Sequence, residues 1–285
     1  MQEEAEKLQS VVPRVVLPDG LLYVNQREFA VVSQQNGNVR IIGSDDATTC
    51  HIVIIRHSGT GVTGLAHCDG CDTERGLQKM IHQINTLSES GSNGRLEVTF
   101  VGGFNDDKKT SEKLSLEIIG FLQTLNEDLH LICTCITDYN NVLKNGINFP
   151  VIYGVAVDVC SGEIYPARFV DKGPEIDIRS ACHFGGFKDL VNIYDNEQHH
   201  LVIGPYTWKS MDNVDWWLVA PDVFIRKYLS TSPQQEPPEF EKHVRDSLRV
   251  LAKHPNPNQT LFVDGKAHRY EMNEDGVWVK VTDGL

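Results

Sequence analysis

Short apolar runs with turn-forming residues at their ends dominate the chain, and three stretches repeat their apolar residues at helical spacing instead. Leu21-Leu22-Tyr23-Val24 and Glu28 to Val32 each predict a strand. Gln35-Asn36-Gly37-Asn38 predicts a hairpin, because Asn-Gly readily takes the positive φ of a type I′ turn, with Val39 to Ile42 pairing back. Ile52 to Ile55 and the run ending Gly64-Leu65-Ala66-His67 predict two more strands, joined through Ser58-Gly59-Thr60-Gly61. From Asp72 to Ser90 the residues Leu77, Met80, Ile81 and Ile84 fall on one helical face, with Thr73 as the expected N-cap. Leu114, Ile118, Ile119 and Leu122 predict a second helix over Ser111 to Leu125, and Phe240, Val244 and Leu248 a third over Phe240 to Lys253.

Further strands are expected at Arg95 to Val101, Leu129 to Ile136, Val151 to Val157, Glu163 to Phe169, Val191 to Tyr194 and His200 to Ile203, with a short helix at Ile176–Ala181. Asp, Asn and Gly between Ile136 and Val151 read as a polar loop, and Ser232 to Pro238 as a Pro-rich surface loop. A small meander turning at Asp264-Gly265 and Asp275-Gly276 closes the chain. Residues 1–13 read as a short, frayed helical arm ended by Pro13, and residues 14–285 as a single α/β domain of mainly antiparallel sheets with flanking helices.

At 285 residues the chain has ample length for a proper core. A net charge of −13 leaves no basic stripe to displace counterions from phosphates, which argues against a nucleic-acid partner. No apolar run approaches the length of a membrane span, nothing at the start resembles a signal peptide, and no heptad repeat suggests assembly, so a monomer is expected. Seven cysteines, an odd number spread along the chain, point to a reducing compartment, the cytoplasm or the nucleus.

The candidate chemistry concentrates in Gly43-Ser44-Asp45-Asp46-Ala47-Thr48-Thr49-Cys50-His51. A thiol where a polar turn meets a buried strand is held rigidly and still reachable, as a nucleophile must be. His67 stands seventeen residues on, and antiparallel pairing of the two strands brings a base beside Cys50; His51 alternates to the other face. Ser44, Asp45, Asp46, Thr48 and Thr49 are suited to orienting an imidazole, holding an amide or binding an ammonium group, or simply to capping their own backbone. Gly102-Gly103 permits close backbone approach, as the wall of a substrate cleft would. Cys68 and Cys71 have the spacing of a zinc or redox half-site, with Cys133 and Cys135 as conceivable further ligands, although packing explains all four. A thiol-dependent enzyme and a zinc-stabilised or redox protein both fit at this point.

The block around Cys50, together with His67-Cys68-Asp69-Gly70, Gly94 to Val98, Val101 to Phe104, Phe149 to Gly154 and Ile203-Gly204-Pro205-Tyr206, resembles the eukaryotic protein N-terminal asparagine amidohydrolases from about residue 18 onward. The resemblance implies an α-β-β sandwich like that of the cytotoxic necrotizing factors and the chemoreceptor glutamine deamidases. It also implies a Cys50, His67, Ser44 triad, with Ser44 six residues before the nucleophile, and no metal or other cofactor. Substrates would be proteins with a free N-terminal Asn, converted to Asp for arginylation in the N-degron route. Asp45, Asp46 and Asp69 are the candidates for reading the α-amine, with Thr49, Gly102 and Gly103 also lining the substrate site.

Overall fold

The computed structural model describes residues 2–35, 38–88, 93–209 and 211–282. Helix α1 (Gln2–Ser10) precedes strands β1 (Arg14–Val16), β2 (Leu21–Tyr23), β3 (Glu28–Val32), β4 (Ile41–Ser44), β5 (His51–His57) and β6 (Thr63–Cys68). Helix α2 (Thr73–Ser88), strand β7 (Leu96–Gly102), helix α3 (Thr110–Thr124) and strand β8 (Leu129–Ile136) follow. The hairpin β9 (Asn141–Lys144) and β10 (Ile147–Pro150) then leads to β11 (Val155–Asp158), β12 (Ile164–Phe169) and helix α4 (Ile176–Phe184). Strands β13 (Val191–Asn192), β14 (Tyr194–Asp195) and β15 (His200–Ile203) come next. The last part runs through helices α5 (Val214–Val219), α6 (Asp222–Leu229), α7 (Phe240–Lys253) and α8 (Pro257–Thr260) to β16 (His268–Met272) and β17 (Trp278–Lys280).

Three layers result. A six-stranded sheet, ordered β13-β3-β6-β5-β7-β8, has its two faces covered differently. On one, Phe29, Val53, Val98 and Phe100 bury against Leu77, Met80 and Ile84 of α2 and Leu114 and Ile118 of α3. On the other, Ile52, Ile54 and Leu65 meet Leu22, Ile42 and Val155 from a five-stranded sheet, ordered β1-β12-β11-β4-β2. This is the expected α-β-β sandwich. Coverage of both faces explains why β5 reads as a nearly continuous apolar run rather than an alternating one. The C-terminal sheet β14-β15-β16-β17 and helices α4 and α7 extend the inter-sheet core through Ile203, Ala181 and Leu248. Parallel pairs join β1 to β12, β2 to β4, β13 to β3 and β7 to β8, and the other pairings are antiparallel.

Several expectations are corrected. The strands on either side of the expected Asn36-Gly37 hairpin do not pair. β3 pairs with β6 and β13 in one sheet, while β4 pairs with β11 and β2 in the other; Asn36 and Gly37 themselves lie outside the described residues. Helix α1 is docked rather than frayed, with Ala5 and Leu8 in the inter-sheet core and Gln9 Nε2 3.6 Å from Cys135 Sγ. The segment read as a polar loop contains the hairpin β9-β10, and the strand expected from Val151 begins only at Val155. Thr73 sits inside the first turn of α2 and its hydroxyl caps nothing; the final two residues expected in that helix lie outside the described ones. No helix among the described residues is long and apolar enough to cross a membrane.

Candidate active site

Cys50 occupies the residue just before β5 and is half-buried. In the β5-β6 ladder Ile52 stands opposite His67. Cys50, two residues earlier, therefore shares the inter-sheet face with His67 and is its diagonal neighbour. His51 takes the opposite face as expected, where its Nε2 lies 2.8 Å from Ser115 Oγ of α3 and its ring 4.8 Å from that of Phe100.

Ser44 comes from the other sheet. It ends β4, is fully buried, and its Oγ lies 2.7 Å from His67 Nδ1 across the seam between the sheets. With the proton on Nδ1 the ring donates to Ser44 Oγ, leaving the Nε2 lone pair free. Nε2 is buried and has no hydrogen-bond partner among the described residues, so it can accept a proton from the thiol side of the site. Burial pulls the His67 imidazole down to about 4. Burial likewise pushes the Cys50 thiol well up, reinforced by Asp69, Glu236 and Cys68. The resting pair is a neutral thiol beside a neutral imidazole.

The end of β7 fixes the backbone at Cys50. The Gly103 N–H donates to the Cys50 carbonyl at 2.9 Å, and Gly102 has φ 128°. A Cβ on Gly102 would stand 2.5 Å from the Cys50 carbonyl oxygen, and one on Gly103 2.7 Å from the His51 ring. These glycines support the Cys50 backbone by close approach. Buried Asn140 holds them from behind, with Nδ2 donating to the carbonyls of Gly103 (2.8 Å) and Ile152 (3.0 Å) while Oδ1 accepts from the Ile152 N–H at 2.8 Å. Gly102→Ala should therefore displace Cys50, lowering turnover about tenfold or more and stability by about 1–3 kcal/mol, read from initial rates and a melting curve. Unchanged rates would show that the approach is incidental.

The carboxylates flagged by sequence each face a cation of the protein itself. Asp45 Oδ1 accepts from Tyr23 Oη and from Lys172 Nζ, both at 2.8 Å, and Oδ2 from the Phe169 N–H at 3.2 Å. Asp46, exposed and at φ 58°, pairs with the same Lys172. Burial opposes the lysine's charge, but Tyr23, Asp45 and Asp46 outweigh it and hold its pKa far above the ordinary value. Asp69 Oδ2 accepts from Arg27 Nε (2.6 Å) and Gln26 Nε2 (2.7 Å), and Oδ1 from the Cys71 N–H (3.0 Å). Burial opposes the Asp69 charge too, yet Arg27 and these donors keep its carboxyl below the usual range.

Thr49 Oγ1 lies 2.9 Å from Thr231 Oγ1, which ties the 230–238 segment beside Cys50. That segment, read from sequence as a surface loop, is partly buried and works as a strap. Gln235 Nε2 donates to the Asn148 carbonyl at 2.7 Å. Arg226, ion-paired with Glu241, donates to the carbonyls of Pro233, Glu236 and Pro237. Two surface hollows, one between Asp177 and His254 and one between Pro18 and Trp278, do not border Cys50. Sequence reasoning missed Tyr23, Arg27, Asn140, Lys172 and Glu236. Of these only Asn140 carried a signal, as a polar residue in a segment that turned out to be folded.

The four cysteines weighed as metal ligands do not converge. Cys68 belongs to the helix-side core, and Cys133 and Cys135 to the inter-sheet core, so the six-stranded sheet lies between them. All seven cysteines are free thiols.

The sequence profile of the family described as protein N-terminal asparagine amidohydrolase matches residues 11–280. The protein N-terminal asparagine amidohydrolase of Homo sapiens is 46% identical over 99% of this chain and 91% of its own length. The proteins of that name from Sus scrofa and Arabidopsis thaliana are 45% and 28% identical, over 100% and 92% of this chain and 91% and 81% of their own lengths. A profile match over nearly the whole chain and relatives at this identity place the chain in the protein N-terminal asparagine amidohydrolase family.

Proposed function

We propose that this protein hydrolyses the side-chain amide of an N-terminal asparagine in proteins and peptides, releasing ammonia and leaving aspartate, with Cys50 as nucleophile. The observation that carries the reading is the Ser44–His67 contact of 2.7 Å, which orients an imidazole whose other nitrogen is unpartnered on the face it shares with Cys50.

The steps follow from these groups. His67 Nε2 takes the thiol proton as Cys50 Sγ attacks the amide carbon. Backbone N–H groups around Cys50 stabilise the oxyanion, at about 3 kcal/mol for a well-placed donor. The imidazolium, steadied by the Ser44 hydroxyl as acceptor, returns its proton to the departing ammonia. Water then attacks the thioester with His67 again as base, and Cys50 is regenerated. Because the resting pair is neutral, proton transfer accompanies attack rather than preceding it. Thr49, Gly102 and Gly103 border this site, and Asp45, Asp46 and Asp69 shape its charge through Lys172 and Arg27.

We place the reaction at the entry to the arginylation branch of the N-degron route, in the cytosol or nucleus, a setting that suits seven free thiols. The test is ammonia release, with a mass gain of about 1 Da, from peptides beginning Asn-, Gln- or acetyl-Asn-. Free Asn- is expected to turn over, and Gln- at least ~10²-fold more slowly, because one methylene misplaces its amide by over about 1 Å. Peptide binding without any ammonia from folded, reduced protein would overturn the catalytic reading in favour of a binding module.

A further inference from the structure

Ser44 ends a strand of one sheet and Cys50 immediately precedes a strand of the other, so the crossover from Asp45 to Thr49 sets where one stands relative to the other. That crossover is held in a conformation it would not keep alone. Asp45 and Asp46 are adjacent carboxylates, Asp45 is buried, and Asp46 has φ 58°, a left-handed conformation that a non-glycine residue keeps only where its surroundings impose it. Tyr23 Oη and the Phe169 N–H donate to Asp45, and the Ala47 N–H donates to the Tyr153 carbonyl at 2.9 Å. These donors are neutral, and two neighbouring carboxylates repel each other.

Lys172 supplies the missing charge. Its ammonium group, 18% exposed, contacts Asp45 Oδ1 and Asp46 Oδ2 together and lies 5.3 Å from the centre of the Tyr23 ring. The lysine is itself fixed at the backbone. Arg179 Nη1 donates to its carbonyl, and just beyond it the Gly173 N–H donates to Asp171 Oδ1 at 2.8 Å, which turns the chain. We propose that Lys172 is a positioning residue for the reaction: by bridging Asp45 and Asp46 it locks the crossover that sets Ser44, and through it His67, against Cys50. This role rests on the amidase reading above.

The bridge also acts on the base. Facing His67 are Asp69 from its own strand, Asp46 and Lys172 at the crossover, the neutral Cys50 thiol, His51 on β5 and His183 on α4. Burial does most to keep the imidazole neutral; Asp69 and Asp46 work against it, and Lys172 works with it. A cation at this place therefore holds two carboxylates beside the site without surrendering the neutral imidazole that must take the thiol proton. Without its charge, Asp46 acts on His67 unopposed.

The experiment starts from Lys172→Met, which keeps an apolar stem and removes the charge. With an Asn- peptide at about pH 8 its kcat is expected to fall about 100-fold, the cost of a displacement on the order of 1 Å, with KM changed less than about threefold. His67 works unprotonated, so activity is lost as pH falls through its pKa. Lys172→Met raises that pKa, and the acid limb of the rate profile should move up by about one pH unit. Lys172→Arg, which can still bridge two carboxylates, should recover most of kcat and return the limb. Lys172→Met with Asp46→Asn should return the limb but not kcat, because the charge is balanced and the bridge is absent. Asp46→Asn alone, at an exposed position where asparagine suits the positive φ, breaks one leg of the bridge without endangering the fold; its kcat should fall about fivefold at unchanged KM. NMR titration of the His67 ring reads the base without turnover, and its midpoint should rise in Lys172→Met. A wild-type kcat in Lys172→Met, or a loss shared in full by Lys172→Arg, would overturn this role and leave the amidase reading intact. A wild-type protein that releases no ammonia, in which Lys172→Met still shifts the His67 titration, would overturn the amidase reading and keep the hold of Lys172 on the base.

Discussion

Cys50→Ser protein is expected to release ammonia from an Asn- peptide at least about 10⁵-fold more slowly than wild type, with an unchanged melting temperature. The hydroxyl that replaces the thiol holds its proton far more tightly, and His67, drawn down to about 4 by burial, is too weak a base to compensate. The fold should survive because Cys50 is half-buried and sits outside the β5 ladder, and serine adds no volume. Turnover in Cys50→Ser near the wild-type rate would remove Cys50 from the chemistry. A second readout tests the charge state of the thiol. Its pKa is raised, so the thiolate is scarce at neutrality and grows with pH. Iodoacetamide alkylation of Cys50, followed by mass spectrometry, should accelerate about tenfold per pH unit from about pH 7 to 9. Fast, pH-independent alkylation at pH 6 would contradict the neutral resting pair.

Arg179→Met is expected to cost about 3–5 kcal/mol of stability, the largest effect of any single substitution away from the reacting groups. Arg179, on α4, is only 1% exposed. Its Nε donates to Glu28 Oε1 at 2.9 Å, its Nη2 to Glu28 Oε2 and to the Tyr23 carbonyl, and its Nη1 to the Lys172 carbonyl at 3.1 Å. Burial opposes the guanidinium charge, but Glu28 outweighs it and raises the pKa. Methionine fills much of the volume yet leaves the Glu28 carboxylate buried without its partner, which is the costly half of the exchange. The melting temperature should fall by roughly 6–15 °C, and Glu28→Gln on the same background should recover part of the loss. A fall of under about 2 °C would show that Glu28 finds water or another donor. Because Lys172 and Tyr23 hang on the same guanidinium, turnover below the melting point should drop as well.

The local parts of this molecule were legible in the chain itself. Helices α2, α3 and α7 follow from apolar residues at helical spacing, and strand β8 from an apolar run, because each element buries a face set by its own period. The Cys50–His67 pairing was legible for a related reason. A short turn joins β5 to β6, so their register is fixed locally, and the side-chain period of two puts both residues on one face and His51 on the other.

Contacts between sheets carry no such local mark. Val39 to Ile42 looked like the return arm of a hairpin because alternation records burial and not the identity of the partner strand; only packing sends β3 and β4 into different sheets. Ser44 stood out in the sequence only through a family resemblance, and its contact with His67 exists only because β4 and β6 face each other across the core. The cations that neutralise Asp45, Asp46 and Asp69, and the strap tied to Thr49 beside Cys50, arrive from segments distant in sequence. The sequence by itself therefore determined the Cys50–His67 juxtaposition and the secondary elements that hold it. The tertiary structure decided which hydroxyl meets His67 and which cation each carboxylate faces, because charge compensation depends on neighbours in space rather than along the chain.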